Sequence, residues 1–287
     1  MEHAIEVKNL TKRYKDFTLD HISFSLPKGM ILGLIGENGA GKSTFINSLL
    51  GIVKSEYEQI QILGLDLASH EKQIKGDIAA IFDDARYDEN FTPLFIGKIM
   101  AGIYRNWDSQ KYQNYLKQFS LPPKKKLKTF SKGMKTKLEF AAALSHNPKL
   151  LILDEATSGL DPIFRDEILD IIREFCENEE HSVLISSHIT SDLDKIADYV
   201  AYIHQGKLQF FKTYDEIQTQ YGILNCGREF FENISKDDIL AYRREAYSYQ
   251  VLIRNRQEFK TIFRDTPIQN ASLEDIMLFY SKGEKML

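Results

Sequence analysis

Cysteine, tryptophan and long apolar runs are scarce in this chain. Its two cysteines, Cys176 and Cys226, are far apart and in no CxxC spacing. Neither a disulfide framework nor a cysteine zinc site can be drawn from them, and a reducing compartment fits. No window approaches the roughly 18 to 20 apolar residues that span a bilayer. The first residues, Met-Glu-His-Ala-Ile-Glu-Val-Lys, lack an apolar signal core, so a cytoplasmic location is expected. An excess of one charge is missing too. Lys and Arg number 37 against 41 Asp and Glu, a net charge of −4, which leaves no electrostatic footprint for nucleic acid. The densest basic stretch, Lys124-Lys125-Lys126-Leu127-Lys128, reads as solvated surface. There is no internal repeat, low-complexity tract or sustained heptad pattern, which excludes solenoids and coiled coils.

What is present suffices for a folded core. With 287 residues, 43% of them hydrophobic, the chain can form one large domain with a small appendage, or two modest domains. Short strands are predicted at 5–7, 17–24 and 30–35, the last a continuous apolar run that ends in a glycine-rich turn before a helical pattern at 43–50. Helices are predicted at 96–104, 110–119 and 132–145, separated by Asp108 and by Pro122-Pro123. Apolar strands return at 150–153 and 183–185 around a helix at 163–176, the alternation expected of a parallel sheet with crossover helices. Beyond 216 the pattern loosens to a strand at 248–254 and helices at 257–263 and 273–280, the last capped by Ser272.

The sharpest motif is Gly36-Glu37-Asn38-Gly39-Ala40-Gly41-Lys42-Ser43, a phosphate loop with a strand before it and a helix after it. Its glycines let successive N–H groups turn inward around phosphate oxygens, and the helix N-terminus adds its positive dipole end. Lys42 then reaches the β and γ phosphates, Ser43 holds Mg²⁺, and Thr44 makes a further phosphate contact. ATP and Mg²⁺ are therefore the expected ligands. The second motif, Leu150-Leu-Ile-Leu-Asp154-Glu155, delivers two carboxylates at the end of an apolar strand, where open α/β sheets bind ligands. Asp154 suits the Mg²⁺ shell, and Glu155 is the candidate to polarise an attacking water.

With these two motifs in order, roughly residues 3–212 resemble the ATPase subunits of ABC transporters. Phe130-Ser131-Lys132-Gly133-Met134 stands where that family has its Leu-Ser-Gly-Gly-Gln signature. Ser131 and Gly133 fit the pattern, while Lys132 and Met134 depart from it. Ser131 could cap a helix whose outward N–H groups form an anion site for the partner's γ-phosphate. The resemblance also implies that Asp161, in Ser158-Gly-Leu-Asp161, lies at a dimer seam, that His188 contacts γ-phosphate, and that Tyr14 stacks on adenine. A second departure follows 78–82, where Asp83-Asp84 replace a metal-sensing glutamine. Asp83 could still approach Mg²⁺ through water.

The fold so implied is α/β: a P-loop NTPase core with a mixed sheet, an antiparallel β subdomain, a helical subdomain at about 84–146 and a small C-terminal α+β appendage. The division is 1–215 for the ATPase domain and 216–287 for the accessory region. Asp83, the altered signature and Asn106-Trp107-Asp108 look like a branch of ABC-2-type exporters of antimicrobial or amphipathic peptides. Trp107 itself reads first as core of the helical insertion. The implied partners are a second ATPase subunit, paired head to tail, and a separate transmembrane permease that holds the chain at the membrane's inner face. Two other readings exist: a soluble ABC ATPase without a membrane partner, and an ATP-sensing subunit without turnover. No two-domain layout or long coiled coil supports the first, and Glu155 with His188 argues against the second.

Overall fold

The computed structural model describes residues 2–83, 87–263 and 266–284. It opens with strands β1 (His3–Arg13) and β2 (Thr18–Pro27), then β3 (Ile31–Ile35), buried at every residue, which leads into helix α1 (Lys42–Leu49). β4 (Gln59–Ile62), β5 (Leu65–Asp66), α2 (Leu67–Asp77) and β6 (Ile78–Phe82) follow. Three helices come next: α3 (Pro93–Ile103), α4 (Ser109–Gln118) and α5 (Lys132–Leu144). Each starts where a side chain, Thr92, Asp108 or Ser131, accepts from a first-turn N–H. β7 (Leu150–Asp154), α6 (Pro162–Cys176), β8 (Ser182–Ser186), α7 (Thr190–Ile196), β9 (Tyr199–His204) and β10 (Lys207–Thr213) complete the cassette. The remainder is α8 (Tyr214–Gln220), β11 (Gly222–Cys226), α9 (Arg228–Asn233), β12 (Ile239–Arg244), β13 (Tyr249–Ile253), α10 (Arg256–Ile262), β14 (Ile268–Asn270) and α11 (Leu273–Lys282).

The central sheet has the order β10-β9-β3-β8-β7-β6. Its members are parallel except β10, which pairs antiparallel with β9. Alternation along β7 shows why such strands read as unbroken apolar runs. Leu150 and Ile152 join a core under the antiparallel sheet β2-β1-β4-β5, whereas Leu151 and Leu153 join a core under the helices. Each fully buried Leu or Ile contributes about 1.5–3 kcal/mol. Register sets Phe82 opposite Asp154 and Asp154 opposite Ser186. The C-terminal ends of β6, β7 and β8 therefore line up beside the loop leaving β3.

The third sheet, β12-β13-β11-β14, is antiparallel throughout and belongs to the C-terminal region. The sequence signalled β13, α10 and α11 but not β11, β12, β14 or α9. The expected 215/216 division falls inside α8. Tyr221, Ile223, Leu252 and Phe279 belong to the large core of the cassette, while Leu224, Val251 and Phe259 form a small core of their own. Trp107 is partly buried, packed 5.0 Å from the Tyr112 ring, with its indole N–H on Ser109 Oγ at 3.1 Å.

His146 lies between α5 and β6. Nε2 donates to Ile78 O at 3.1 Å, and the ring stacks on Tyr104 at 3.9 Å. Burial lowers its pKa below the ordinary 6.5, outweighing the nearby carbonyls. A base with a depressed folded-state pKa binds fewer protons folded than unfolded, so its contribution is present above 6.5 and lost as pH falls below it. Thermal stability is expected to decline through this window by at most about 1.4 kcal/mol per pH unit. Melting curves of His146→Gln over the same pH range check this: an unchanged slope would clear His146 of the effect.

Candidate nucleotide site

The phosphate loop is held from three sides. Lys42, only 5% exposed, turns back so that Nζ donates to Gly36 O at 2.7 Å and Glu37 O at 3.3 Å. Gly41 has φ +113°, and a β-carbon there would come within 2.9 Å of Phe17 and Leu19 side chains, so the residue must be glycine. Gly206, at the β9–β10 turn with φ +76°, donates its N–H to Ala40 O at 3.0 Å and accepts from Asp20 N at 2.8 Å. A β-carbon at Gly206 would overlap Thr18 O. The hairpin tip thus pins the loop to the antiparallel sheet.

One cleft of about 460 Å³ gathers most of the residues that the sequence singled out: Tyr14, Glu37, Asn38, Gly39, Gly41, Lys42, Ser43, Thr44 and Glu155. Gly36 and Ala40, also in this loop, are buried. Tyr14 is 47% exposed with Lys12 Nζ 5.1 Å above its ring, a flat surface at the cleft mouth. Phe17 lines the cleft as well. Sequence reading passed it over, although it lies beside Tyr14 in the turn closed by Tyr14 N to Phe17 O at 2.8 Å.

Opposite the loop, Asp154 accepts from Ser186 Oγ at 2.7 Å, so a strand-end serine fixes this carboxylate. Glu155 has φ +54°, a left-handed conformation unusual for glutamate. Its N–H is satisfied by Ser186 O at 3.2 Å and Ser186 Oγ at 3.1 Å. The turn aims its carboxylate between two bases: Oε1 is 3.4 Å from Lys42 Nζ, and Oε2 is 2.5 Å from His188 Nδ1. His188 N also reaches Oε2 at 3.3 Å. Ser186, which orders both acids, was not among the predicted residues. Its one sequence signal was its place at the end of an apolar strand; the register that sets it opposite Asp154 comes from the structure.

A family profile described as "ABC transporter" matches residues 19–158. The bacitracin transport ATP-binding protein BcrA of Bacillus licheniformis is 37% identical over 214 residues, 72% of this chain and 69% of that protein. The lantibiotic transport ATP-binding protein SrtF of Streptococcus pyogenes is 33% identical over 243 residues, 84% of this chain and 99% of that protein. The chain belongs to the ABC transporter family. Among solved structures, an ATP-binding subunit of an ABC transporter superposes with TM-score 0.69 at 28% identity, covering 75% of this chain and 92% of the other. The P-loop NTPase architecture is thereby established, and the chain is an ATPase of this family.

The remaining ABC motifs lie outside the cleft. Ser131 caps α5, its Oγ accepting from Met134 N at 3.2 Å, and the space beside Gly133 is open. Asp161 caps α6 by accepting from Phe164 N at 3.0 Å, so one of its oxygens already serves its own helix. Asp84 lies outside the described residues. The Asp83 carboxylate is ion-paired with Lys132 Nζ at 2.6 Å, with both side chains about half exposed. The pairing joins the end of β6 to the start of α5. Lys132 Nζ also lies 3.5 Å from where a Gly159 β-carbon would stand.

Two departures from the ABC pattern are therefore partners. Exposed ion pairs contribute little, so Asp83→Ala or Lys132→Ala should each change stability by less than about 1 kcal/mol. Their effects on turnover should be non-additive, and the exchanged pair Asp83→Lys with Lys132→Asp should recover most of the loss. Strictly additive losses in a double-mutant cycle would refute a functional pairing.

Among the described residues no cluster of three or more His, Cys, Asp or Glu could hold a metal by itself. The Ser43 hydroxyl on one wall and the Asp154 carboxylate at the strand end instead suit Mg²⁺ that arrives with nucleotide phosphates, the donor set of a P-loop enzyme.

Proposed function

We propose that the chain works as one half of a head-to-tail dimer that hydrolyses MgATP and drives export through a separate membrane subunit. The observation that carries this reading is the Lys42–Glu155–His188 arrangement opposite a glycine cradle. A γ-phosphate entering the cradle would take over Lys42 from its carbonyl partners and from Glu155. The freed carboxylate can then accept a proton from water, with His188 holding its other oxygen. Mg²⁺, held by Ser43 and Asp154, would neutralise charge on the β and γ phosphates. Tyr14 and Phe17 supply a flat surface for the base.

Ser131 and Gly133 lie outside the cleft that holds Lys42, so a second copy must bring its signature to the γ-phosphate, and isologous symmetry would make both composite sites equivalent. Asp161 and the loop before it would border the seam. Hydrolysis removes the phosphate that bridges the two copies, and the pair opens. Residues 1–215 form the cassette in this reading, and 216–287 an accessory region built onto it.

Among the described residues no helix is long and apolar enough to cross a membrane. In this reading a separate permease chain carries the cargo and holds this one at the inner face of the cell membrane. The relatives named for bacitracin and lantibiotic transport support antimicrobial or amphipathic peptides as cargo.

The test is the Mg²⁺-dependent ATPase rate of the purified chain as a function of its concentration. Composite sites give a rate per chain that climbs with concentration and then levels off. A rate per chain that stays flat down to nanomolar protein would remove the composite site.

A further inference from the structure

The C-terminal region reaches the nucleotide site through its last helix. Ile276 and Phe279 of α11 are buried, and the helix packs against α7 and β9. The Tyr280 ring stands edge-on to Tyr202 at 5.3 Å. At the start of α11, Leu273 N donates to the carboxylate of Asp194 in α7, which also accepts from Tyr214 at 3.1 Å. Burial still holds Asp194 above the usual carboxylate range. The helix that follows His188 is thus tied to α11.

The other end of α11 touches the phosphate loop itself. Ser281 Oγ donates to Glu37 Oε1, a bond between residues 244 positions apart in sequence. Glu37 Oε2 stands 3.9 Å from His204 Nδ1. Glu37 is the single acidic residue of the loop, and its carbonyl is one of those that hold Lys42. Where its side chain rests decides whether a negative charge confronts the polyphosphate or turns from it. Glu37 lines the cleft and Ser281 does not, so their bond draws the carboxylate toward the C-terminal helix.

We propose that Ser281 is a positioning residue for ATP: it anchors the Glu37 carboxylate on the α11 side of the loop and couples nucleotide affinity to the seating of the C-terminal region. This rests on the reading that the loop binds ATP. Without the anchor, the carboxylate swings over the cradle and repels the phosphates.

The experiment uses the full chain and compares Ser281→Ala, Ser281→Thr, Glu37→Gln and the Ser281→Ala, Glu37→Gln double variant, titrated with MgATP and assayed for turnover. Ser281→Ala should raise Kd and KM for ATP by about fivefold, with kcat within about twofold of the parent. The threonine variant keeps the hydroxyl and should restore affinity. In the Glu37→Gln background the Ser281→Ala change should have no effect, because no charge is left to misplace. Unchanged affinity in Ser281→Ala overturns the proposal, as does a loss that persists undiminished beside Glu37→Gln. Parent and Lys42→Ala chains with the same weak ATP affinity would instead bring down the nucleotide-site reading itself.

Discussion

Glu155→Gln should cut turnover about a hundred- to a thousandfold while leaving ATP binding nearly intact, within the range a general base contributes. The amide keeps the shape of the carboxylate but cannot accept the proton of the attacking water. Lys42 loses one partner at 3.4 Å yet retains the Gly36 and Glu37 carbonyls, so the cradle stays formed. With binding preserved and hydrolysis blocked, ATP should accumulate in the closed pair, visible as an ATP-dependent dimer on size-exclusion chromatography. Unchanged turnover would take the proton-accepting role away from Glu155, and Ser186, His188 and the ordering of Asp154 would need another reading.

Lys42→Ala should act on binding first. A charged group donating to phosphate oxygens contributes about 1.5–3 kcal/mol, so affinity for MgATP should fall roughly ten- to a hundredfold and turnover to background. Part of the loss comes from what remains: buried Gly36 keeps a carbonyl without its Lys42 partner, and Glu155 keeps a carboxylate facing the incoming phosphate with no cation between. Lys42→Arg should not rescue, because a planar guanidinium cannot occupy a 5%-exposed position shaped around one ammonium group. Calorimetric titration with ATP separates the two effects; parent-like affinity in Lys42→Ala would mean that the loop backbone alone carries the phosphates.

The parts legible in the sequence are those whose physics is local. The phosphate loop is a contiguous run in which glycines and one lysine do the binding. The acidic pair closes a strand whose four preceding residues, Leu150 to Leu153, are all apolar. α3, α4 and α5 appear within a few residues of their expected spans because a capping side chain and a helical apolar stripe mark each one. β4 and β5 left little trace, since strands of 4 and 2 residues have hardly any period to detect. β11, β12 and β14 owe their existence to antiparallel pairing with distant partners more than to their own pattern.

Pairings were less legible than members. Asp83 and Lys132 each stood out as departures from the family pattern, but nothing in two separate motifs says that their charges meet. Ser281 carries no motif, and its tie to Glu37 depends on α11 packing against both α7 and β9. Phe17 and Ser186 were visible as residue types, but their roles depend on a turn and on a strand register that sequence alone does not set.

Heat resistance and turnover make opposite demands on the peptide unit at Glu155. At φ +54° glycine or asparagine would be more at ease than glutamate, and relief from such a conformation raises stability by about 1 kcal/mol or more. A library screened only for survival on heating should therefore enrich Gly or Asn at position 155 and return sturdy chains that no longer hydrolyse ATP. The same library screened for ATP consumption should keep the glutamate and compensate elsewhere, so the two outcomes would measure how much folding stability this enzyme gives up to aim one carboxylate.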